Sequence, residues 1–417
     1  MAHGISRSLM WLFTFSQTLT QKHIQIPTHY NAKYQTKDII RCLTWLSLQN
    51  SYAHSGLRRL TKKLRQTHPK KHKPKPKHPK KPKPNHHPSP SKPDSDTFLY
   101  RLKQLNRKTA QTMLNKLNQE VLQKAKQQGA FTKKVTLAID LTCLPYYGKL
   151  TPWINGGKPK QGTSYFHTWA TLRVVSAGRR FTLKALPIKR GSLDAVAMAK
   201  TLKQLLEEAK HLNLKVDLVL LDKGFCWQEI LLQLDKSGYK YLVALKKDTQ
   251  VKKLILDYFT TKEGRVRRFS KGEGKTKVCF HVTIHRFKKR RRKPIKNILE
   301  LYGAFATNLG FEQASKVWSM IPEVYRRRWG IETGYRVDGG FRALTTSRNE
   351  MLRFIYFEYM VFLENLWVLY NFLEARRHGV GFVDGHGFWV TGEDFCEDYM
   401  YWLVVLGFDR GPPWLWF

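Results

Sequence analysis

Between positions 135 and 245 the chain alternates apolar runs of strand character with runs of helical period, and this order constrains the fold more than any other feature. Residues 135–142, 166–175 and 179–188 are rich in β-branched and aromatic side chains. Gly178 stands just before the third run, so the latter two predict a hairpin. Residues 193–212 predict a helix, 216–221 a buried strand, 228–235 a helix and 239–245 a strand. Three strands followed by helix, strand, helix and strand define an α/β class with a mixed sheet.

The flanks differ in character. Residues 250–317 predict a β-rich insertion, with strands at 266–269, 277–287 and 298–306 around Gly-rich turns. It contains six adjacent cations, Lys288, Lys289, Arg290, Arg291, Arg292 and Lys293. A solvated loop is the default for such a run, and backbone contact with nucleic acid is its functional reading. Helical period returns at Pro322 and, with a break near Thr345, runs to Ala375.

Upstream, Ile39, Ile40, Leu43 and Leu46 recur at helical spacing, residues 50–56 read as a turn, and residues 57–64 resume with Arg58, Arg59, Lys62 and Lys63. Both a helix-turn-helix DNA reader and a plain helical hairpin fit that pattern. Of the 26 residues from His68 to Pro93, 9 are Lys, 9 Pro and 5 His, so the segment cannot bury a core. Its histidines alternate with Pro and Lys, which favours a solvated basic spacer over a metal site. Ser95 and Asp96 are expected to cap a helix running to Gly129 through Phe98, Leu102, Leu105, Met113, Leu117 and Val121. The expected organisation is a helical region at 1–66, a basic linker at 67–95, a helical segment at 96–129, a catalytic domain at 130–249 and 318–376, the insertion at 250–317, and an aromatic tail at 377–417. That tail carries Glu393, Asp394, Glu397 and Asp398 and has no assigned role.

Charge narrows the partner class. The 417 residues carry 74 Lys and Arg against 31 Asp and Glu, a net of +43. Such an excess attracts polyanions, with nucleic acid first and an anionic membrane surface second. Thermophilic proteins rich in Lys balance it with Glu, and this chain does not. At 42% hydrophobic and 13% aromatic the chain has material for a core. Cys42, Cys143, Cys226, Cys279 and Cys396 form no CxxC pair, which argues against a disulfide framework or a cysteine zinc site. The apolar run at 9–15 lacks a small-residue cleavage site and is not read as a signal peptide. Arg353, Glu358, Glu364 and Asn365 interrupt residues 351–375, and 399–408 is too short to span a bilayer, so a soluble cytoplasmic protein with no membrane partner is expected.

Three acids stand out. Asp140, in Leu-Ala-Ile-Asp-Leu-Thr, and Asp222, in Val-Leu-Leu-Asp-Lys-Gly-Phe, each close an apolar strand. A buried acid is costly unless paired or bound to a cation, and ligand sites in α/β sheets collect at strand carboxyl ends. Two such aspartates could share a hard divalent cation, although either alone reads equally as a cap or turn former. Glu332 follows Tyr325, Arg326, Arg327 and Arg328. Helical spacing would place Tyr325, Arg328, Glu332 and Tyr335 or Arg336 on one face, suited to phosphate and metal, or to a surface ion pair.

Together these motifs resemble the DDE transposases of prokaryotic insertion sequences, in the branch with a β-rich insertion before the last acid. That branch carries a signature of Tyr, Arg, Glu and Lys. Tyr325, Arg328 and Glu332 fit it, Asp-Lys-Gly-Phe at 222–225 is similar to its motif around the second acid, and the 110-residue interval from 222 to 332 accommodates the insertion. Residues 140–148 resemble the archaeal members. Gly339 stands where the signature has Lys, with Arg336 or Arg342 as possible substitutes.

The resemblance implies an RNase H-like sheet flanked by helices, with Asp140, Asp222 and Glu332 as catalytic acids and ligands of two Mg²⁺ ions, which Mn²⁺ would replace. It implies cut-and-paste transposition by metal-dependent cleavage and strand transfer at the ends of an element, by a nucleoid-associated homodimer holding terminal repeats and target DNA. Tyr325, Arg328, Arg336, Lys223 and the cations Lys288, Lys289, Arg290, Arg291 and Arg292 are the expected DNA contacts, and Phe259, Phe269, Phe280 and Trp318 are available for base stacking. A structure-specific nuclease of the same fold and an inactive or domesticated DNA-binding copy are the competing readings.

Overall fold

The computed structural model describes residues 7–29, 31–67, 92–287, 297–379 and 390–408. Most of the basic linker and the run Lys288 to Lys293 lie outside them. The chain divides into two compact units, one of residues 1–121, 336–381 and 387–417, the other of 122–335 with 382–386.

The first unit is helical. It contains α1 (Arg7–His23), α2 (Thr36–Leu48), α3 (Ala53–Thr67), α4 (Ser95–Lys103) and the start of α5 (Arg107–Gln127). α3 buries Leu57, Leu60 and Leu64 and exposes Arg58, Arg59, Lys62 and Lys63, so its basic face is open to solvent. Where the sequence predicted one helix from 95 to 129, the chain breaks. The Asn106 side chain accepts from the Thr109 N–H at 2.8 Å, which starts a second helix, and Asp94 rather than Ser95 or Asp96 caps α4.

The second unit holds the strands β1 (Val135–Pro145), β2 (Ile154–Lys160), β3 (Thr163–Val174), β4 (Thr182–Pro187), β5 (Val216–Leu221), β6 (Tyr241–Ala244), β7 (Val266–Lys271), β8 (Val278–Arg286) and β9 (Tyr302–Thr307). Between them lie α6 (Ala195–His211), α7 (Gln228–Ser237) and α8 (Thr249–Thr261). They form one nine-stranded sheet in the order β2-β3-β1-β5-β6-β9-β8-β7, with β4 paired to β3. β1, β5 and β6 run parallel at its centre, the strands on either side antiparallel. Central parallel strands are covered on both faces, which is why β1 and β5 read as continuous apolar runs. The segment 250–317 begins with the unpredicted helix α8, and its three strands extend the main sheet through the β6–β9 pairing.

After the sheet come α9 (Phe311–Lys316), α10 (Ile321–Arg326) and α11 (Trp329–Asp338). The expected continuous face from Tyr325 to Tyr335 is interrupted at 327–328, where Arg328 N–H bonds to the Tyr325 carbonyl and Ile331 N–H to that of Arg328 in tighter i to i+3 turns. Ile321 and Ile331 pack with Ala138, Val175, Leu220, Leu242 and Phe305, fixing both short helices on the central strands.

The helical unit is completed by α12 (Glu350–Arg377) and α13 (Gly392–Trp402). The described part of the aromatic tail packs here: Phe395 lies 6.0 Å from Phe341 and 5.8 Å from Tyr370, and Tyr399 lies 5.3 Å from Phe13. Its four acids face solvent. All five cysteines are free thiols, and no helix among the described residues is long and apolar enough to cross a membrane.

Candidate active site

Strand register builds the site. In the parallel pairing of β1 with β5, Ile139 aligns with Leu221, and there the pairing ends. The next residue on each chain is an aspartate, so Asp140 and Asp222 emerge side by side from the centre of the sheet. β1 itself continues beyond Asp140 to Pro145, paired with β3, so this acid lies within its strand rather than at the end. Asp222 opens a tight turn, Lys223–Phe225. Glu332 enters from the first turn of α11.

These three carboxylates converge on one guanidinium. Arg328 Nη1 stands 3.2 Å from Asp140 Oδ2, and Nη2 stands 2.6 Å from Glu332 Oε1 and 3.9 Å from Asp222 Oδ1. The Arg328 side chain is only 8% exposed, against 18% for Asp140, 37% for Asp222 and 44% for Glu332. The cation therefore sits inside and the acids open progressively to solvent. Burial, with Asp222 and Glu332 nearby, pushes the Asp140 carboxyl up to about 6, although the Leu141 N–H and Arg328 pull the other way. Burial would lower the Arg328 guanidinium, but Tyr325, Glu332, Asp140 and Asp222 hold it above the ordinary arginine value.

Tyr325 ties the constellation to the sheet. Its hydroxyl donates to the Leu221 carbonyl at 3.2 Å, its ring lies 4.8 Å from Phe305, and Arg328 stands 5.7 Å from its ring centre. Burial raises its phenol. Tyr325, an expected DNA contact, thus bonds the backbone beside Asp222. On the far side of Glu332, the Tyr335 hydroxyl pairs with that of Thr171 at 2.5 Å, and Arg173 stands 5.2 Å from the Tyr335 ring centre. Arg173, buried in β3 at 2% exposure, had not been singled out; an arginine between Leu172 and Val174 in a predicted strand was the signal.

The remaining candidates scatter. Lys223 is exposed, and the side chain of Arg336 and the cations Lys288 to Arg292 lie outside what the structure describes. Phe280 is buried, Trp318 stacks on His285 and donates to the Ile284 carbonyl, and Phe259 lies beneath Lys262. Phe269 lines a cavity of about 190 Å³ with Cys226, Trp227, Lys246, Lys271 and Phe280, beginning four residues after Asp222.

An acid trio at the centre of a mixed sheet, with the last acid on a following helix, is the arrangement of the RNase H-like fold. Residues 131–352, just over half of the chain, match the family described as Transposase DDE domain, and the chain belongs to that family. Among solved structures it resembles the piggyBac transposase in a synaptic complex with hairpin DNA, with a TM-score of 0.51 at 11% identity over 98% of this chain and 80% of that one, a likeness of fold. No curated protein matches.

Proposed function

We propose that this transposase cuts the ends of an insertion sequence and transfers them to target DNA, with Asp140, Asp222 and Glu332 as its catalytic acids. The convergence of three carboxylates from β1, β5 and α11 on one buried cation carries this reading. An all-oxygen, all-carboxylate donor set suits hard divalent cations such as Mg²⁺ or Mn²⁺. Asp140, Asp222 and Glu332 would hold these ions between them. When bound, such ions would polarise the attacking oxygen and neutralise the leaving one in an in-line displacement. Arg328 would hold the scissile phosphate, and Tyr325 would position Arg328, its own hydroxyl being held by the Leu221 carbonyl. No side chain need be a nucleophile, since water or a DNA 3′-hydroxyl supplies it.

The match of Tyr325, Arg328 and Glu332 supports the branch with the Tyr, Arg, Glu and Lys signature and its archaeal members. Gly339 at the Lys position leaves that phosphate contact to Arg336 or Arg342. The exposed cations of α3, together with the basic sequence of the linker, would supply sequence-independent phosphate contacts, steeply weakened by salt. The cavity lined by Trp227, Phe269 and Phe280 would receive an unstacked base. Two copies would hold the two element ends. The neighbour seen with hairpin DNA makes a hairpinned end the first product to look for. The test is incubation of a DNA fragment carrying the gene's own flanks with Mg²⁺ or Mn²⁺. Cuts at the flank boundaries, absent with Asp222→Ala, are the expected result. Tight binding without cleavage would instead assign this copy to the DNA-binding class, and cleavage without terminal repeats to a structure-specific nuclease.

A further inference from the structure

Arg328 makes too many acid contacts to be only a phosphate ligand. Its two terminal nitrogens reach all three carboxylates, at 2.6, 3.2 and 3.9 Å, the same oxygens that the proposed metal ions need. Its Nε is buried with no hydrogen-bond partner. Its backbone is pinned by the i to i+3 bonds at Tyr325 and Ile331, so any rearrangement falls to the side chain.

Charge counting gives this contact a consequence. Three ionised acids against one guanidinium leave two negative charges, within reach of neutralisation by one divalent ion. Two divalent ions beside Arg328 would bring five positive charges against three negative, in a partly buried site where repulsion between like charges is only weakly screened. A DNA phosphate supplies the missing anion and gives the guanidinium a bidentate partner away from the carboxylates.

We propose that Arg328 is a built-in competitor of the divalent ions, holding the acid trio closed to full metal loading until a DNA phosphate draws the guanidinium away. DNA binding and metal loading are then coupled, each strengthening the other, and uncommitted enzyme is kept from indiscriminate cleavage. This inference rests on the acid trio being the metal site.

The test is Mn²⁺ binding to the full chain, followed by electron paramagnetic resonance of free Mn²⁺, with and without a duplex of the gene's own flank. Asp222→Ala with the same duplex subtracts ions held by the DNA itself. Without DNA, Arg328→Gln and Arg328→Ala are expected to bind Mn²⁺ at least about tenfold more tightly than the natural protein, through loss of the competing charge. The duplex should tighten Mn²⁺ binding by the natural protein and leave that of both variants nearly unchanged. Equal Mn²⁺ affinity in natural protein and variants, or an equal effect of DNA on both, overturns the competitor role. The natural protein's own response to DNA reads out the coupling even where a variant folds poorly, and its absence overturns the proposal. A different failure marks the underlying reading: Mn²⁺ binding by Arg328→Gln that persists unchanged when Asp222→Ala and Glu332→Gln are added would place the metal elsewhere.

Discussion

The two units both bury polar groups, but only the sheet unit gathers several acids on one cation. In the helical unit the buried acids Asp38, Glu358, Glu364 and Glu374 are spread along α2 and α12, and neutral groups pair off between them: Thr44 with Tyr359 at 2.6 Å, Asn365 with Asn118 at 2.6 Å, and Asn371 with the Trp367 carbonyl and the Val390 N–H. In the sheet unit, one guanidinium gathers three acids at the end of the β1–β5 pairing. Neutral pairs spread through a core specify its packing. Concentrated charge costs desolvation that packing alone does not return, and its persistence at one point marks a site. The comparison teaches where to look in a chain this basic: at where acids are held together, since cations are everywhere.

Breaking the charged cluster should have the largest effect. Asp140→Ala, Asp222→Ala and Glu332→Ala are each expected to reduce metal-dependent cleavage to background while leaving DNA affinity, measured by gel shift without divalent ions, within about twofold, because on the proposed reading affinity comes from phosphate contacts elsewhere. Cleavage retained in any one would remove that residue from the site.

Next comes a buried polar residue of the sheet unit that behaves like those of the helical one. His285 is 2% exposed, stacks on Trp318 at 4.9 Å, and is driven down to about 4 by burial. An unfolded histidine takes its proton near pH 6.5, and the folded one resists until about 4. Stability linked to His285 is therefore complete above pH 6.5 and falls as pH drops toward 4, by up to about 3 kcal/mol. Urea unfolding of natural protein and His285→Phe across that range should give curves that diverge in slope. Parallel curves would show that His285 titrates normally.

The alternation of strands and helices from 135 to 245, and both aspartates, were legible because parallel central strands are apolar throughout and an acid within them stands out. β2 was not, since Ile-Asn-Gly-Gly-Lys-Pro-Lys is a strand only by pairing at the edge of the sheet, where Pro and Gly are tolerated. α8 escaped because it buries only Val251 and Ile255, too narrow a stripe to show a period. Tyr325, Arg328 and Glu332 were recognised by spacing, but the tight turn at 327–328 that aims Arg328 inward depends on packing against Phe305 and Leu221, which no local pattern encodes. Nor does sequence reveal that Arg328 touches all three acids: helical spacing brings it to Glu332 four residues on, but the contact with Asp140, 188 residues away, is invisible to it.

A smaller effect is expected where α11 meets β3. A Cβ at Gly334 would stand 1.8 Å from Nη1 of the buried Arg173. Gly334→Ala must displace that guanidinium or the helix bearing Glu332, at a cost of about 1–3 kcal/mol. Lowered melting temperature together with lowered cleavage is the expected pair of results. A variant as stable and active as the natural protein would show that Arg173 moves freely and that this contact does not position Glu332.

The smallest effect tests the neutral side of the comparison. Thr44 and Tyr359 are each 1% exposed, and the Thr44 hydroxyl also bonds the Ile40 carbonyl at 2.9 Å. Tyr359→Phe leaves Thr44 with that second partner, so a loss of about 1 kcal/mol or less is expected. Thr44→Val strands the Tyr359 hydroxyl without its partner and should cost more, about 1–3 kcal/mol. The double variant removes both ends of the bond and should cost less than the sum, since nothing polar is left unpaired. Cleavage by all three, at a temperature where each is folded, should match the natural protein. Strict additivity would mean that the pair is not coupled, and loss of cleavage in a folded variant would extend the functional network into the helical unit and erase the distinction between the two kinds of buried polar group.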